Sequence, residues 1–360
     1  MLRPALALLL VLLAASARAV EPDPAQAPRV FARETVEVAP GVWLIHKPAV
    51  TDPPFEGNVT VVEQARGLVV IDAGGSPASG RAVVAEIRKL SRKPVRWIAY
   101  THYHGDHNLG AGELLKAWPQ AVTVSTARTR ENMAGPPMAY VAGYAASYAG
   151  MADFAARQAA DAKLPTALRA GWARVASAGP GMVAGYSGMQ TYPAQRTFTD
   201  RFVIPDPKAP VELVFLGRGN TDGDAVAWMP RQKVLAAGDL VVAPVPYAAH
   251  TFPGEWIETL KRLEGYGFRR LVPGHGPVQT DRAYIRKLAA ALEAIRAQVA
   301  PLKDLPLEEV RKHVDLADVK AGFTGGDPWL GFLMDAVFAG DLVANAWKEA
   351  RGEAVIQGKG

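Results

Sequence analysis

The segment Thr101-His102-Tyr103-His104-Gly105-Asp106-His107-Asn108 gathers three of the chain's seven histidines and an aspartate within six residues. Chance seldom does that, and neutral imidazole with carboxylate is a donor set that suits zinc, manganese or iron. His102 and His104 are two apart in nearly extended chain, so their rings can share one face. Asp106 and His107 follow the turn-permissive Gly105 and are expected to open the helix carrying Leu114 and Leu115. One segment can thus offer two nitrogens to one cation, and a carboxylate and a nitrogen to a second. A cation so held lowers the pKa of a bound water from about 15.7 toward about 7 and polarises the oxygen under attack. Hydrolysis by a metal-bound hydroxide is the chemistry this predicts.

Such a segment needs strands to hold it. Val42 to His46, Asn58 to Glu63, Leu68 to Asp72 and Val95 to Thr101 read as strands, and Ala78 to Leu90 as an amphipathic helix. A second series comprises strands over Val211 to Gly217, Ala225 to Met229, Val234 to Asp239 and Arg270 to Pro273, with a helix over Glu255 to Leu263. Two such series predict an α/β fold of two sheets face to face with helices outside. Between them, residues 127–192 read as a helical insertion. Its Met133, Met138, Tyr140, Tyr144, Tyr148, Met151 and Phe154 suit either an adaptable apolar pocket or plain helix packing. Ala283 to Ala300 and Pro328 to Arg351 read as further amphipathic helices. The expected organisation is a signal peptide over 1–19, a catalytic domain over 30–285 and a C-terminal helical extension over 286–360.

Composition narrows the chemistry further. The 360 residues include no cysteine, which excludes disulfides, thiolate metal sites and a cysteine nucleophile. Met1-Leu2-Arg3, the apolar run Ala5 to Ala15 and the small-x-small Ala17-Arg18-Ala19 read as a secretory signal, with an apolar run too short to span a bilayer. No later stretch is read as spanning one, so a periplasmic or secreted protein without stable membrane insertion after cleavage is expected. Loss of Arg3 and Arg18 lowers the formal net charge from +5 to +3, and the remaining basic residues are scattered. That argues against nucleic acid as a partner and for a small-molecule substrate; the oligomeric state stays open.

The His-x-His-x-Asp-His segment, preceded by a strand and by Ile71-Asp72-Ala73-Gly74, resembles the metallo-β-lactamase superfamily over roughly Val36 to Gln279. The resemblance implies the αββα sandwich with a metal site at one edge. It also implies that Asp239, in Ala237-Gly238-Asp239, bridges two metals and that His275, in Leu271-Val272-Pro273-Gly274-His275-Gly276, is the last histidine ligand. One motif is altered. In Gly217-Arg218-Gly219-Asn220-Thr221-Asp222-Gly223-Asp224, Asn220 stands where the family carries a histidine, and an amide oxygen is a poorer zinc ligand than imidazole. A first site of His102, His104, Asn220 and Asp239 should bind more weakly than a second of Asp106, His107, His275 and Asp239. One or two zinc ions per chain are implied, with manganese or iron as alternatives, and Asp106 or Asp239 would orient the attacking hydroxide. His250, between Asp239 and His275, is a conceivable substitute ligand, though more readily an ordinary loop histidine. Asp72 is a candidate partner for a ligand imidazole or a turn-former.

The family cleaves several bond types, so the resemblance leaves the substrate open. An ester, lactone or lactam is the expectation. The alternatives are a β-lactamase proper, a phosphodiesterase, an iron-dependent persulfide dioxygenase and a non-catalytic periplasmic metal- or ligand-binding protein.

Overall fold

The computed structural model describes residues 30–358. The proposed signal peptide at 1–19 and the linker after it lie outside the described residues.

Among the described residues, twelve strands form two sheets. The first runs in spatial order β1 (Glu34–Ala39), β2 (Val42–His46), β3 (Val59–Gln64), β4 (Gly67–Ile71), β5 (Val95–Ala99), β6 (Val122–Thr126) and β7 (Arg196–Phe198). It is antiparallel up to β4 and parallel from β4 onward. The second comprises β8 (Arg201–Ile204), β9 (Val211–Phe215), β10 (Ala225–Met229), β11 (Val234–Ala236) and β12 (Arg270–Val272). Only β11 and β12 are parallel there.

Alternation along the strands divides the core into three layers. Val69 and Ile71 of β4 point into the space between the sheets, where they meet Ala225, Ala227 and Met229 of β10. Leu68 and Val70 point the other way, toward α1 (Pro77–Leu90), which buries Val83, Val84 and Ile87. Two short helices follow, α2 (Gly105–Asn108) and α3 (Ala111–Ala117). Val226 of β10 faces the helices on the opposite side of the sandwich. The order is helix, sheet, sheet, helix, as the sequence predicts.

The α1 helix starts where its sequence says it should. The Ser76 hydroxyl accepts from the Ser79 N–H and Pro77 occupies the first turn, where a missing N–H costs nothing. One helix differs from expectation. The segment after Gly105 is two helices, because the Gly110 N–H leaves the helical ladder and donates to the Gly74 carbonyl. Asp106 and His107 therefore sit in a single turn pinned to the loop after β4, separate from Leu114 and Leu115. β5 also stops at Ala99, so His102 and His104 stand on the loop beyond it. The strands β1, β6, β7 and β8 went unread in the sequence.

The insertion is helical, with α4 (Ala127–Ala134), a 3-10 stretch over Pro136–Gly143, α5 (Tyr144–Ala160) and α6 (Thr166–Gly185). Its large side chains are engaged in packing, the plainer of the two readings. Met133 and Met138 are core beneath the first sheet, and Met151 and Phe154 pack with Trp172 and Trp329. Tyr140, Tyr144, Tyr148 and Tyr186 form a chain of edge-on ring contacts ending on Phe31.

After β11 come α7 (Pro253–Glu264), α8 (Ala283–Val299), α9 (Leu307–His313), α10 (Ala317–Thr324), α11 (Pro328–Met334) and α12 (Gly340–Ala350). A π-helical turn, Asp335–Ala339, joins α11 to α12. The run Pro328–Ala350 is long enough and, at mean hydropathy 1.2, apolar enough to cross a membrane, which the sequence reading did not anticipate. Its Met334, Phe338, Leu342, Val343 and Ala346 pack on Leu288, Leu292 and Ile295 of α8, in the core behind the second sheet. Burial of that stripe accounts for its apolarity.

Candidate metal centre

The site lies where strands end. Asp72 follows β4, Thr101 to His104 follow β5, Asp239 follows β11 in a 3-10 turn over Gly238–Leu240, and His275 follows β12. The pairs β4/β5 and β11/β12 are each parallel, so their carboxyl ends lie side by side at one edge of the sandwich. Three backbone bonds join these ends: Asp72 N–H to the Ala99 carbonyl, Ala225 N–H to Thr101, and Gly274 N–H to Gly238.

Five of the predicted residues converge. His107 Nε2 is central, 3.1 Å from Asp239 Oδ1, 3.4 Å from Asp106 Oδ2 and 3.2 Å from His275 Nε2. His275 Nε2 lies 2.9 Å from Asp106 Oδ2, and His102 Nε2 lies 3.6 Å from Asp239 Oδ2. Two sets of potential cation ligands result, His102 with His107 and Asp239, and Asp106 with His107 and His275. His107 belongs to both, a sharing that residue spacing did not reveal.

Hydrogen bonds assign the imidazole tautomers. Asp72, buried at φ 64°, accepts from the Thr101 N–H at 2.9 Å and from the Thr101 hydroxyl at 2.9 Å. With its proton committed to Asp72, that hydroxyl accepts from His102 Nδ1–H at 3.0 Å. Asp72 also accepts from His107 Nδ1–H at 2.8 Å. Both rings therefore turn an Nε2 toward the cluster, and a carboxylate behind an imidazole makes it a better ligand. Asp72 fills the role of imidazole partner.

Electrostatics call for a cation at the same point. Burial opposes charging His107, but Asp239, Asp106 and Asp72 outweigh it and raise its proton affinity well above the ordinary imidazole value. Burial likewise opposes ionisation of Asp106, yet His107 and His275 hold its carboxyl well below the usual range. His102 is pushed down, first by burial and then by His107. The cluster accommodates one positive charge at His107 as a proton, or in its place a divalent ion. Buried His102 Nε2 and Asp239 Oδ1 have no hydrogen-bond partner. An all-nitrogen-and-oxygen donor set with two such atoms facing inward fits zinc, manganese or iron.

His104 and Asn220 stand apart. The His104 ring is 4.7 Å from that of His102 and 5.3 Å from Tyr247, but its nitrogens join neither ligand set. Asn220 is fully buried; its amide donates to the Tyr247 carbonyl at 2.9 Å and its Oδ1 has no partner. His250 also joins neither set. Its Nδ1 lies 3.3 Å from the Tyr103 hydroxyl and its ring 6.3 Å from that of His104. A cleft of about 210 Å³ lined by Arg81, Glu113, Lys116 and Tyr192 contains none of the candidate ligands.

His250 yields a pH prediction. Burial, with a smaller contribution from Lys348, pushes its pKa down to about 4. An unfolded imidazole titrates near 6.5. Between the two values the unfolded chain binds a proton that the folded chain refuses, so His250 stabilises fully above about 6.5 and this contribution is lost as pH falls toward 4. Urea unfolding at pH 7 and 4.5 should show that wild type loses about 2 kcal/mol more than His250→Gln.

Arg33, Glu56 and Asn58 bear on the site and went unread. They lie in no motif, and their spacing from the ligands carries no periodic signal.

The profile of the metallo-beta-lactamase superfamily matches residues 52–275. A linear primary-alkylsulfatase from a Pseudomonas strain is 26% identical over 292 residues, covering 73% of this chain and 51% of the relative. The chain thus spans about half the length of that enzyme. The alpha subunit of a 2,4-dinitroanisole O-demethylase from Nocardioides is 23% identical, covering 70% of this chain and 68% of the relative. Among solved structures, a metallo-beta-lactamase from Pontibacter korlensis superposes with TM-score 0.49 at 20% identity, covering 72% of this chain and 99% of the other.

Proposed function

The chain belongs to the metallo-β-lactamase superfamily, and from that membership we propose that it is an exported, metal-dependent hydrolase of a small ester, lactone or lactam. The observation that carries the proposal is the convergence of three imidazoles and two carboxylates, with His102 Nε2 and Asp239 Oδ1 buried and unpartnered. The residues that would hold the metal are His102 and Asp239 on one side and Asp106 and His275 on the other, with the one free lone pair of His107 Nε2 available to one side at a time and His104 and Asn220 flanking the first. A divalent ion there supplies an acidified water and polarises the electrophile. Asp106 and Asp239 accept hydrogen bonds from the attacking water and orient it. Asp72 fixes the ring orientations throughout. The basic start, apolar run and Ala17-Arg18-Ala19 support export to the periplasm or beyond. Alkyl sulfates and aryl methyl ethers join the substrate screen because the two relatives' names specify those bonds.

The test is to strip the mature protein with a chelator, restore zinc, manganese or iron, and screen esters, lactones, β-lactams, phosphodiesters, alkyl sulfates and aryl methyl ethers. Metal-dependent turnover of an ester, lactone or lactam is expected; no turnover of any substrate with any of these metals would overturn the reading. Asn220 adds a second expectation. Elemental analysis should find fewer than two tightly held metals per chain in wild type and an increase in Asn220→His. Two equally tight metals in wild type would show that Asn220 weakens nothing.

A further inference from the structure

Resting on this reading of the metal centre, we propose that Arg33, Glu56 and Asn58 are positioning residues that set the distance between the two loops bearing Asp106–His107 and His275. The segment Glu56-Gly57-Asn58 lies between those loops and is bonded to both. Gly57 donates its N–H to the Asp106 carbonyl at 3.3 Å. Its Cα lies flat against the His107 ring: a Cβ there would sit 2.6 Å from Cε1. Asn58 holds the other loop by three bonds. Its N–H donates to the Gly274 carbonyl at 2.7 Å, and its side-chain amide donates to the carbonyls of Pro273 and Gly276, both at 2.9 Å. These acceptors bracket His275.

A buried ion pair fixes the segment from behind. Arg33 and Glu56 meet at 2.5 Å with side chains 1% and 2% exposed. The Arg33 guanidinium also donates to the Gly57 carbonyl at 2.8 Å and to the Ser79 hydroxyl at 2.7 Å. Glu56 accepts from the Ser79 hydroxyl at 2.6 Å and from the Gly75 N–H at 2.9 Å. Gly75 in turn packs on Asp106, where a Cβ would lie 2.8 Å from the Asp106 Cα. A desolvated pair is weak evidence for stability, since apolar replacements of similar volume often do as well. Its polar contacts here run to the backbone beneath two ligands. The geometry therefore assigns it to placing Asp106, His107 and His275 around the second metal position.

Zinc affinity measured by chelator competition separates placement from stability. Glu56→Gln and Asn58→Ala should each fold, by circular dichroism, and bind zinc about 10- to 100-fold more weakly than wild type. The double variant Arg33→Met/Glu56→Met removes both charges together, so it guards against a single variant that fails to fold. It should approach wild-type thermal stability while zinc binding stays weakened. Wild-type zinc affinity in the folded single variants, or in the double variant, would overturn the inference. Wild-type protein that takes up no zinc would overturn the metal centre itself, and this inference with it.

Discussion

Replacing His107 by alanine is expected to lower kcat/KM by about 10²- to 10³-fold on whichever substrate the wild type turns over. The reason is its place in both ligand sets, with Nε2 within 3.4 Å of Asp106, Asp239 and His275. Loss of one preorganised electrostatic contact in an active site typically costs 10²–10³-fold, and His107 Nε2 is the nitrogen that either set of candidate ligands would use. Removing it also takes away the imidazole that lies 3.4 Å from Asp106 and 3.1 Å from Asp239. Elemental analysis should show less bound metal per chain than in wild type. A His107→Ala protein that keeps full metal content and activity would refute the placing of His107 among the metal ligands.

The second large effect belongs to Asp72, which touches no metal in the proposed scheme. Asp72→Ala should lower zinc affinity about 10- to 100-fold, because the His102 and His107 rings lose the carboxylate that orients them. It should also destabilise the fold. The Thr101 N–H, the Thr101 hydroxyl and His107 Nδ1–H are buried donors that all end on this carboxylate. Buried donors left unpaired cost about 1–3 kcal/mol each, and alanine is less at ease than aspartate at φ 64°. A loss of about 3–5 kcal/mol in urea denaturation is expected once partial relaxation is allowed for. Asp72→Asn keeps the shape and one acceptor, so it should recover part of the stability and less of the metal affinity. Wild-type stability and wild-type zinc affinity in Asp72→Asn would mean that charge at Asp72 is immaterial.

The residues that carry chemistry were more legible than the frame that aims them. The dense His-x-His-x-Asp-His spacing marked its site because side chains of those types rarely cluster without a ligand. Strands such as Val59–Gln64 and Ala225–Met229 were legible because they are short, almost wholly buried runs bounded by turn-forming residues. Arg196–Phe198 and Arg201–Ile204 are short, largely exposed edge segments, so the pattern had little to act on. The break between Gly105–Asn108 and Ala111–Ala117 was hidden for another reason. A tertiary acceptor, the Gly74 carbonyl, draws off the Gly110 N–H, and no local propensity encodes a partner supplied by another loop. The same holds for Asn58, whose bonds to Pro273 and Gly276 cross 215 and 218 positions of chain.

The π-helical turn at Asp335–Ala339 ties the far end of the polypeptide to the wall of the centre. It presents the Val337 carbonyl to the Ala248 N–H at 2.9 Å, and Asn345 on the following helix donates to the carbonyls of Ala248 and Ala249. Tyr247, whose carbonyl receives the Asn220 amide, is the next residue. The C-terminal helices thus brace the loop that holds the Asn220 amide, although they lie beyond residue 275, where the family match ends. A gene fusion, a domain graft or a trimmed version that stops at the family boundary would inherit the ligands without the brace behind Asn220.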